Sequence, residues 1–440
     1  MSELAQPASP VSMKFMIRVV ILSLLSACVL PPTRAVAFIA TVIDASTKRP
    51  LEGVFVTLND KVMKTDSNGA VEINGPVDTV GFKAWGYQRK SVALHDLAGD
   101  SIQVALTPFQ PKALYLSFYG IGSTKLREAG IDLIGKTELN AVVIDVKGDR
   151  GIVAFKSSVP LAEQAGAQRT ITMHDARALL ERLHGQQIYT IARIVVFKDD
   201  PLATARPKFA VKRANGAIFR DREKLAWTDP FNQQGWEYNI AIAVEAARLG
   251  FDEIQFDYVR FPDAPGLRFS HSVDMKSRIA AISGFLGEVR RRLTPYNEYV
   301  AADIFGYVAW NLDDTHIGQR LEELSPVVDY ISPMLYPSCF QFGIPGYRLP
   351  VQDPYEVVFL SLQNARERSA IPSIRFRPWL QAFRDYAFDH REFTGKEIRA
   401  QISAAEKFGS DGWMLWNPRN TYTAAGLKAE NEPCKDDAPK

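Results

Sequence analysis

The sequence predicts a (β/α)8 TIM barrel of the α/β class, preceded by a small all-β sandwich. Three observations predict it. Residues 38–108 form short strand-like runs broken by turn residues, and from residue 111 apolar β-rich runs alternate with longer amphipathic segments. Several of those later runs end on an Asp, the position where barrels carry their chemistry. A chain of 440 residues exceeds one ordinary domain, so the division expected is a leader at 1–35, a sandwich at 38–108 and a barrel at 111–430.

The leader comes first. Met13-Lys-Phe-Met-Ile-Arg18 is a basic start, and Val19-Val-Ile-Leu-Ser-Leu-Leu25 is an apolar stretch too short to span a bilayer, so the pair reads as a signal peptide. Residues before Met13 have no targeting character, which makes Met13 a candidate start codon. Leu25-Ser26-Ala27-Cys28 resembles the bacterial lipobox, in which the Cys thiol receives a lipid and becomes the mature N-terminus. The resemblance implies lipidation at Cys28, a membrane anchor and a lipoprotein of the bacterial cell envelope, periplasmic or outer-membrane-attached. Ordinary cleavage after Ala35 or Ala37 is the rival reading.

In the next segment, Ala40-Thr-Val-Ile-Asp44 and Val54-Phe-Val-Thr-Leu58 alternate in polarity. Turn chemistry at Lys48-Arg-Pro50, Asp66-Ser-Asn-Gly69 and Asn74-Gly-Pro76 punctuates them, as in a small antiparallel sandwich. On Val42-Ile-Asp44, Pro50-Leu51, Val54, Thr65-Asp66, Gly69 and Gly86-Tyr87 it resembles the carboxypeptidase-regulatory-like domain, which implies a spacer or adhesive module.

Eight strands are expected after Pro111, at 113–117, 141–145, 188–197, 253–257, 299–303, 328–332, 377–381 and 412–416. Helical patterns separate them; Trp236, Ile240, Val244 and Ala247 share one face. Eight strand–helix units over about 320 residues is the size of a closed barrel. A doubly wound open sheet is the alternative, weakened because no Gly-rich phosphate loop follows any strand.

Composition narrows the partners. With 46% hydrophobic and 23% charged residues and a net charge of +2, the chain lacks the concentrated basic face that nucleic acid requires. No zinc-type His or Cys spacing and no Gly-x-Ser-x-Gly elbow occurs, so neither metal nor cofactor is expected. Asp252-Glu253 and Asp313-Asp314 are acidic pairs that suit solvated loops better than calcium. Of the three Cys, Cys339 and Cys434 remain for one disulfide or two free thiols.

Glycoside hydrolysis needs two carboxyl groups, an acid for the leaving oxygen and a base or nucleophile at the anomeric carbon. Asp257 and Asp303, ending adjacent strands four and five, suit those roles, with Asp145 in support or paired to Arg193. A helix N-cap or a barrel-end salt bridge is the purely structural reading for each Asp. Arg260 is expected to hold Asp257 ionised. Flat rings pack on pyranose faces, so Tyr258, Tyr307, Tyr336, Trp379 and Trp416 are sugar-contact candidates, beside Trp227, Phe305 and Trp413, whose rings serve equally as core. Arg193, Arg260, Gln381 and Asn417 complete the substrate-binding set.

The runs Asn140-Ala-Val-Val-Ile-Asp-Val-Lys147, Ile191-Ala-Arg-Ile-Val-Val-Phe-Lys-Asp199 and Gly250-Phe-Asp-Glu-Ile-Gln-Phe-Asp-Tyr-Val-Arg-Phe-Pro262 carry a further resemblance. So do Ala302-Asp-Ile-Phe-Gly-Tyr307, 328–338, Pro378-Trp-Leu-Gln381 and Asp411-Gly-Trp-Met-Leu-Trp-Asn417. Together they resemble a bacterial glycosyl hydrolase family of otherwise unknown function. That implies an α-amylase-like barrel with Asp at strand ends, and no particular substrate. The expectation is therefore a retaining glycoside hydrolase acting on an exopolysaccharide or envelope glycan. A non-catalytic glycan-binding lipoprotein and a transglycosylase are the alternatives.

Overall fold

The computed structural model describes residues 36–75, 78–93 and 101–429. The expected leader with Cys28, and Cys434, lie outside them; within them Cys339 places its Sγ 3.2 Å from the Tyr386 hydroxyl.

Two sheets form the N-terminal unit. Ala70–Gly75, Val36–Asp44 and Ser101–Leu106 make one, and Lys61–Lys64, Phe55–Leu58, Thr79–Lys83 and Lys90–Ala93 the other. Val42, Ile73 and Val104 from the first meet Val54, Val56, Val80 and Phe82 from the second in a shared apolar core. The pairing is not purely antiparallel as expected. Val36–Asp44 runs antiparallel to Ala70–Gly75 but parallel to Ser101–Leu106, because the chain crosses to the second sheet and back twice before laying down the last strand. The turn at Gly69 is one only glycine fits: φ is +70°, and a Cβ there would lie 2.4 Å from the Val42 carbonyl oxygen.

The barrel closes with all eight expected strands. In chain order they are Lys112–Leu116, Ala141–Lys147, Tyr189–Val195, Glu253–Asp257, Tyr299–Phe305, Tyr330–Met334, Trp379–Gln381 and Trp413–Trp416, all parallel, the eighth pairing with the first. Alternation sorts their side chains. Leu114, Val142, Ile144, Ile194 and Phe256 face the helices, while Ala113, Tyr115, Val143, Ile191, Trp379 and Met414 fill the interior. Helix Gln233–Leu249 buries Ile240, Ala243 and Ala247 against this wall, as its spacing requires.

The closing seam depends on one glycine. Gly412 has φ +74°, and a Cβ on it would sit 1.9 Å from the Pro111 carbonyl oxygen, which accepts the Trp413 N–H. Gly412→Ala is expected to cost about 2–4 kcal/mol through combined strain and clash, read as a lower denaturant midpoint. An unchanged midpoint would show that the seam can shift.

The sandwich sits under the barrel, at the N-terminal ends of strands four to six. Lys83 pairs with Asp329 at 2.9 Å and also donates to the Glu298 carbonyl. Arg89 pairs with Glu298 at 2.8 Å and donates to the Phe251 carbonyl. Tyr299 donates from its hydroxyl to the Ala84 carbonyl at 2.6 Å, and Trp85 lies under the Arg375 guanidinium. All these contacts lie at the N-terminal end of the barrel, leaving the rim at the C-terminal ends of the strands uncovered by the sandwich.

Candidate active site

At the C-terminal ends of strands two to five, one buried arginine gathers the acids. Arg193, 1% exposed on strand three, donates through Nη1 to Asp145 at 2.6 Å and through Nη2 to Asp149 at 2.9 Å. Its Nε and Nη2 both reach Asp257 Oδ2, at 3.0 and 2.5 Å. Neighbouring registers explain the meeting, since Asp145 pairs with Arg193 across strands two and three and Val195 pairs with Asp257 across three and four. Burial works against the guanidinium charge, but Asp145, Asp257 and Asp149 outweigh it and keep Arg193 more basic than usual.

A bulge sharpens this arrangement. Arg193 pairs with Asp145 and the next residue, Ile194, with Lys147, which leaves Val146 as the extra residue. Asp145 faces into the barrel in step with Ala141 and Val143, and the extra residue reverses the facing of Lys147. Lys147 turns out to Asp199 at 2.6 Å and to the Asn239 side chain at 2.9 Å. Asp145 also accepts from the Tyr115 hydroxyl at 2.8 Å and the Phe118 N–H at 3.0 Å. Burial nonetheless pushes its carboxyl up to about 6, with Arg193 opposing.

Asp303 is treated differently. It is 1% exposed, and its Oδ1 accepts from Gln255 and from the Trp379 indole, each at 2.7 Å. Its Oδ2 has no partner among the described residues. Burial, and then the charge of Asp257, hold this carboxyl well above the usual carboxylate range. One acid is thus ion-paired, while burial biases its neighbour toward the protonated form.

The open cleft beside these groups encloses about 690 Å³ and is lined by Tyr115, Tyr119, Asp145, Asp149, Arg150 and Trp416, among others. Asp257 and Asp303 are not on its wall; Asp257 lies behind Arg193, whose guanidinium packs over Tyr115 and Trp416. Trp416 stacks on Tyr115 at 4.0 Å.

The remaining sequence-derived candidates divide. Tyr258 follows Asp257 in the left-handed region (φ +48°), a strained conformation, and donates its N–H to Asp257 Oδ1. Arg260 does not make the expected ion pair with Asp257: its guanidinium lies 5.0 Å over Trp227 and 5.3 Å over Tyr258, and Arg193 is the direct partner instead. Gln381 is fully buried, bonded to the Ser338 N–H and hydroxyl, so it braces two rim loops and presents nothing to a ligand. Trp379 is also buried, and its role is the bond to Asp303. Asn417 braces a rim loop through the Ala382 and Thr421 carbonyls. Tyr307 orders the loop after strand six through the Phe342 N–H and Gly343 carbonyl. Tyr336 is 7% exposed, packed on Phe383. Of the acidic pairs expected to be solvated, one member of each is not: Glu253 and Asp314 are buried, paired with Arg377 and Arg278 respectively.

Sequence reasoning singled out none of Tyr115, Tyr119, Asp149, Glu223 and Gln255. Tyr115 and Gln255 carried a usable signal, since both stand at inward-facing positions of their strands. Tyr119 and Glu223 sit on connections whose path no periodicity reveals.

Residues 113–422 match the model of the family described as "Putative glycosyl hydrolase domain". The chain belongs to this family. Its chemistry is the hydrolysis of glycosidic bonds. No curated protein matches the sequence. Among solved structures, the PgaB (BpsB) glycoside hydrolase domain from Bordetella bronchiseptica is similar over 71% of this chain and 95% of that one, at 17% identity and TM-score 0.51, a likeness of fold. A hypothetical protein from Ruminiclostridium thermocellum is 38% identical over 43% of this chain and 96% of its own, with TM-score 0.39. An alpha-L-fucosidase isoenzyme from Paenibacillus thiaminolyticus matches 72% of this chain and 47% of its own, at 14% identity and TM-score 0.47.

Proposed function

We propose that the barrel is a retaining glycoside hydrolase acting on a bacterial exopolysaccharide or cell-envelope glycan, with Asp257 as nucleophile and Asp303 as general acid/base. The observation that carries this is the contrast between the two carboxyls. Asp257 is ion-paired to Arg193, whereas Asp303 makes no ion pair among the described residues and is biased toward its protonated form. A site that only binds sugar has no need of two neighbouring carboxyls, one ion-paired and the other left without a counter-charge by burial. The envelope location rests on the leader motif at Cys28, and a glycan is the partner that the Tyr115–Trp416 stack suits.

In the proposed reaction Asp303 protonates the departing oxygen while Asp257 attacks the anomeric carbon. Asp303 then takes the proton from the water that releases the sugar. Arg193 is the cation paired with Asp257 before it reacts, and Asp145 and Asp149 share the guanidinium once the glycosyl ester has formed.

The pH dependence follows. A general acid works while protonated, and burial raises the pKa of Asp303, so activity is expected to fall on the alkaline side as pH passes that raised value. Asp303→Asn is expected to lower kcat on a glycan by about 10²–10⁴-fold, to spare aryl glycosides with good leaving groups, and to abolish the alkaline limb. An alkaline limb that persists in Asp303→Asn would assign the acid elsewhere. Release of product with the starting anomeric configuration, read by proton NMR, tests retention.

A further inference from the structure

A second recess opens on the same rim, between the loops that follow strands seven and eight. It encloses about 1250 Å³, and Pro418 lines both it and the cleft that holds Asp145, so the two are neighbours along one rim. Its character differs. The cleft wall carries Asp145, Asp149 and Glu223 against Arg150. The recess carries Arg384 and Arg419 against Glu392 alone.

Arg419 forms no ion pair among the described residues. Its backbone N–H is tied to Asn417 Oδ1 at 2.9 Å, and Asn417 is anchored in turn to the Ala382 and Thr421 carbonyls, both at 2.7 Å. The guanidinium therefore projects from a braced turn. Arg384 donates to the His390 carbonyl at 2.7 Å and keeps Glu392 at 3.6 Å, a solvent-exposed contact of little strength. Phe383 and Tyr386 line the same recess, nearly parallel at 12° with centroids 6.2 Å apart, and Tyr386 is 54% exposed. Aromatic faces take the apolar side of a pyranose, and guanidinium forks take a carboxylate or phosphate.

We infer that this recess is a second sugar subsite that selects an anionic ring, bearing a carboxylate or a phosphate, next to the ring whose bond is cleaved. The inference rests on the glycan-hydrolysing reading of the cleft and names the class of glycan it takes. An acidic polymer is held by Arg419 and Arg384 while the ring in the acidic cleft is uncharged.

Single-ring probes test the recess without requiring turnover. Methyl glucuronide, glucose 6-phosphate and methyl glucoside are titrated into the isotope-labelled protein at low salt and followed by NMR. The two anions are expected to bind about fivefold or more tightly than the neutral glucoside, as exposed charge-assisted contacts permit. Arg384→Ala/Arg419→Ala should erase that difference, and Arg419→Lys should keep part of it. Preference for only one anion supports the subsite and identifies which group it reads. Equal binding of all three probes, binding of none, or a preference that survives the double substitution overturns it. A protein that shows the preference yet cleaves no glycan would sink the hydrolase reading and leave the recess standing.

Discussion

Asp257→Asn is expected to lower kcat on a glycan substrate by about 10³-fold or more while the protein stays folded. The amide keeps the shape of the side chain, and Arg193 retains Asp145 and Asp149 as counter-charges, so the cluster is not left with an orphaned cation. The loss should appear in kcat, since the missing covalent bond forms only along the reaction path. Asp257→Gly separates a nucleophile from an electrostatic role: added azide should restore turnover and give a glycosyl azide of inverted configuration. Wild-type kcat in Asp257→Asn would remove this residue from the mechanism. A large loss without azide rescue in the glycine variant would keep Asp257 essential but point to inversion.

The second large effect concerns stability. Arg193→Met is expected to destabilise the fold by about 3–5 kcal/mol, because it strands buried Asp145 and Asp257 without their cation. Protonating those carboxyls relieves the penalty, so the deficit should shrink as pH falls. Asp145 is the informative partner. Its carboxyl, held at about 6 with Arg193 opposing, should rise further once the guanidinium is gone. Denaturant midpoints for wild type and variant between pH 5 and 8 check this; curves that stay parallel would mean the carboxylates find other compensation.

How much of this was legible in the sequence depends on the kind of signal. Strand four was readable to the residue, Glu253–Asp257, because apolar alternation ends abruptly on Asp257. Strand seven was overextended: Arg377 points into a buried ion cluster with Glu253 and Asp411, and the ladder to strand eight runs only over Trp379–Gln381. The Asp145–Arg193 pair was foreseeable from strand ends, but not the way Asp257 joins it, since that depends on register. Arg260 was misjudged because nearness in sequence favours it, whereas the barrel wall puts Arg193, 64 residues earlier, against the carboxylate. Gln381 and Asn417 looked like ligand contacts for being polar at strand ends, and both turned out to satisfy backbone groups of rim loops.

The placement of the sandwich beneath strands four to six bears on how the chain reaches its final form. Ribosomal synthesis proceeds from the N-terminus, and units emerging first fold first. The sandwich has its own core and is complete by Leu106, well before Glu298 and Asp329 exist. The barrel, in contrast, cannot close until Trp413–Trp416 arrives to pair with Lys112–Leu116, a separation of about 300 residues that makes closure slow. During that interval Lys83 and Arg89 await their carboxylates on an already ordered surface. The nascent strands five and six thus meet a charged template, which favours their correct order before the ring is sealed.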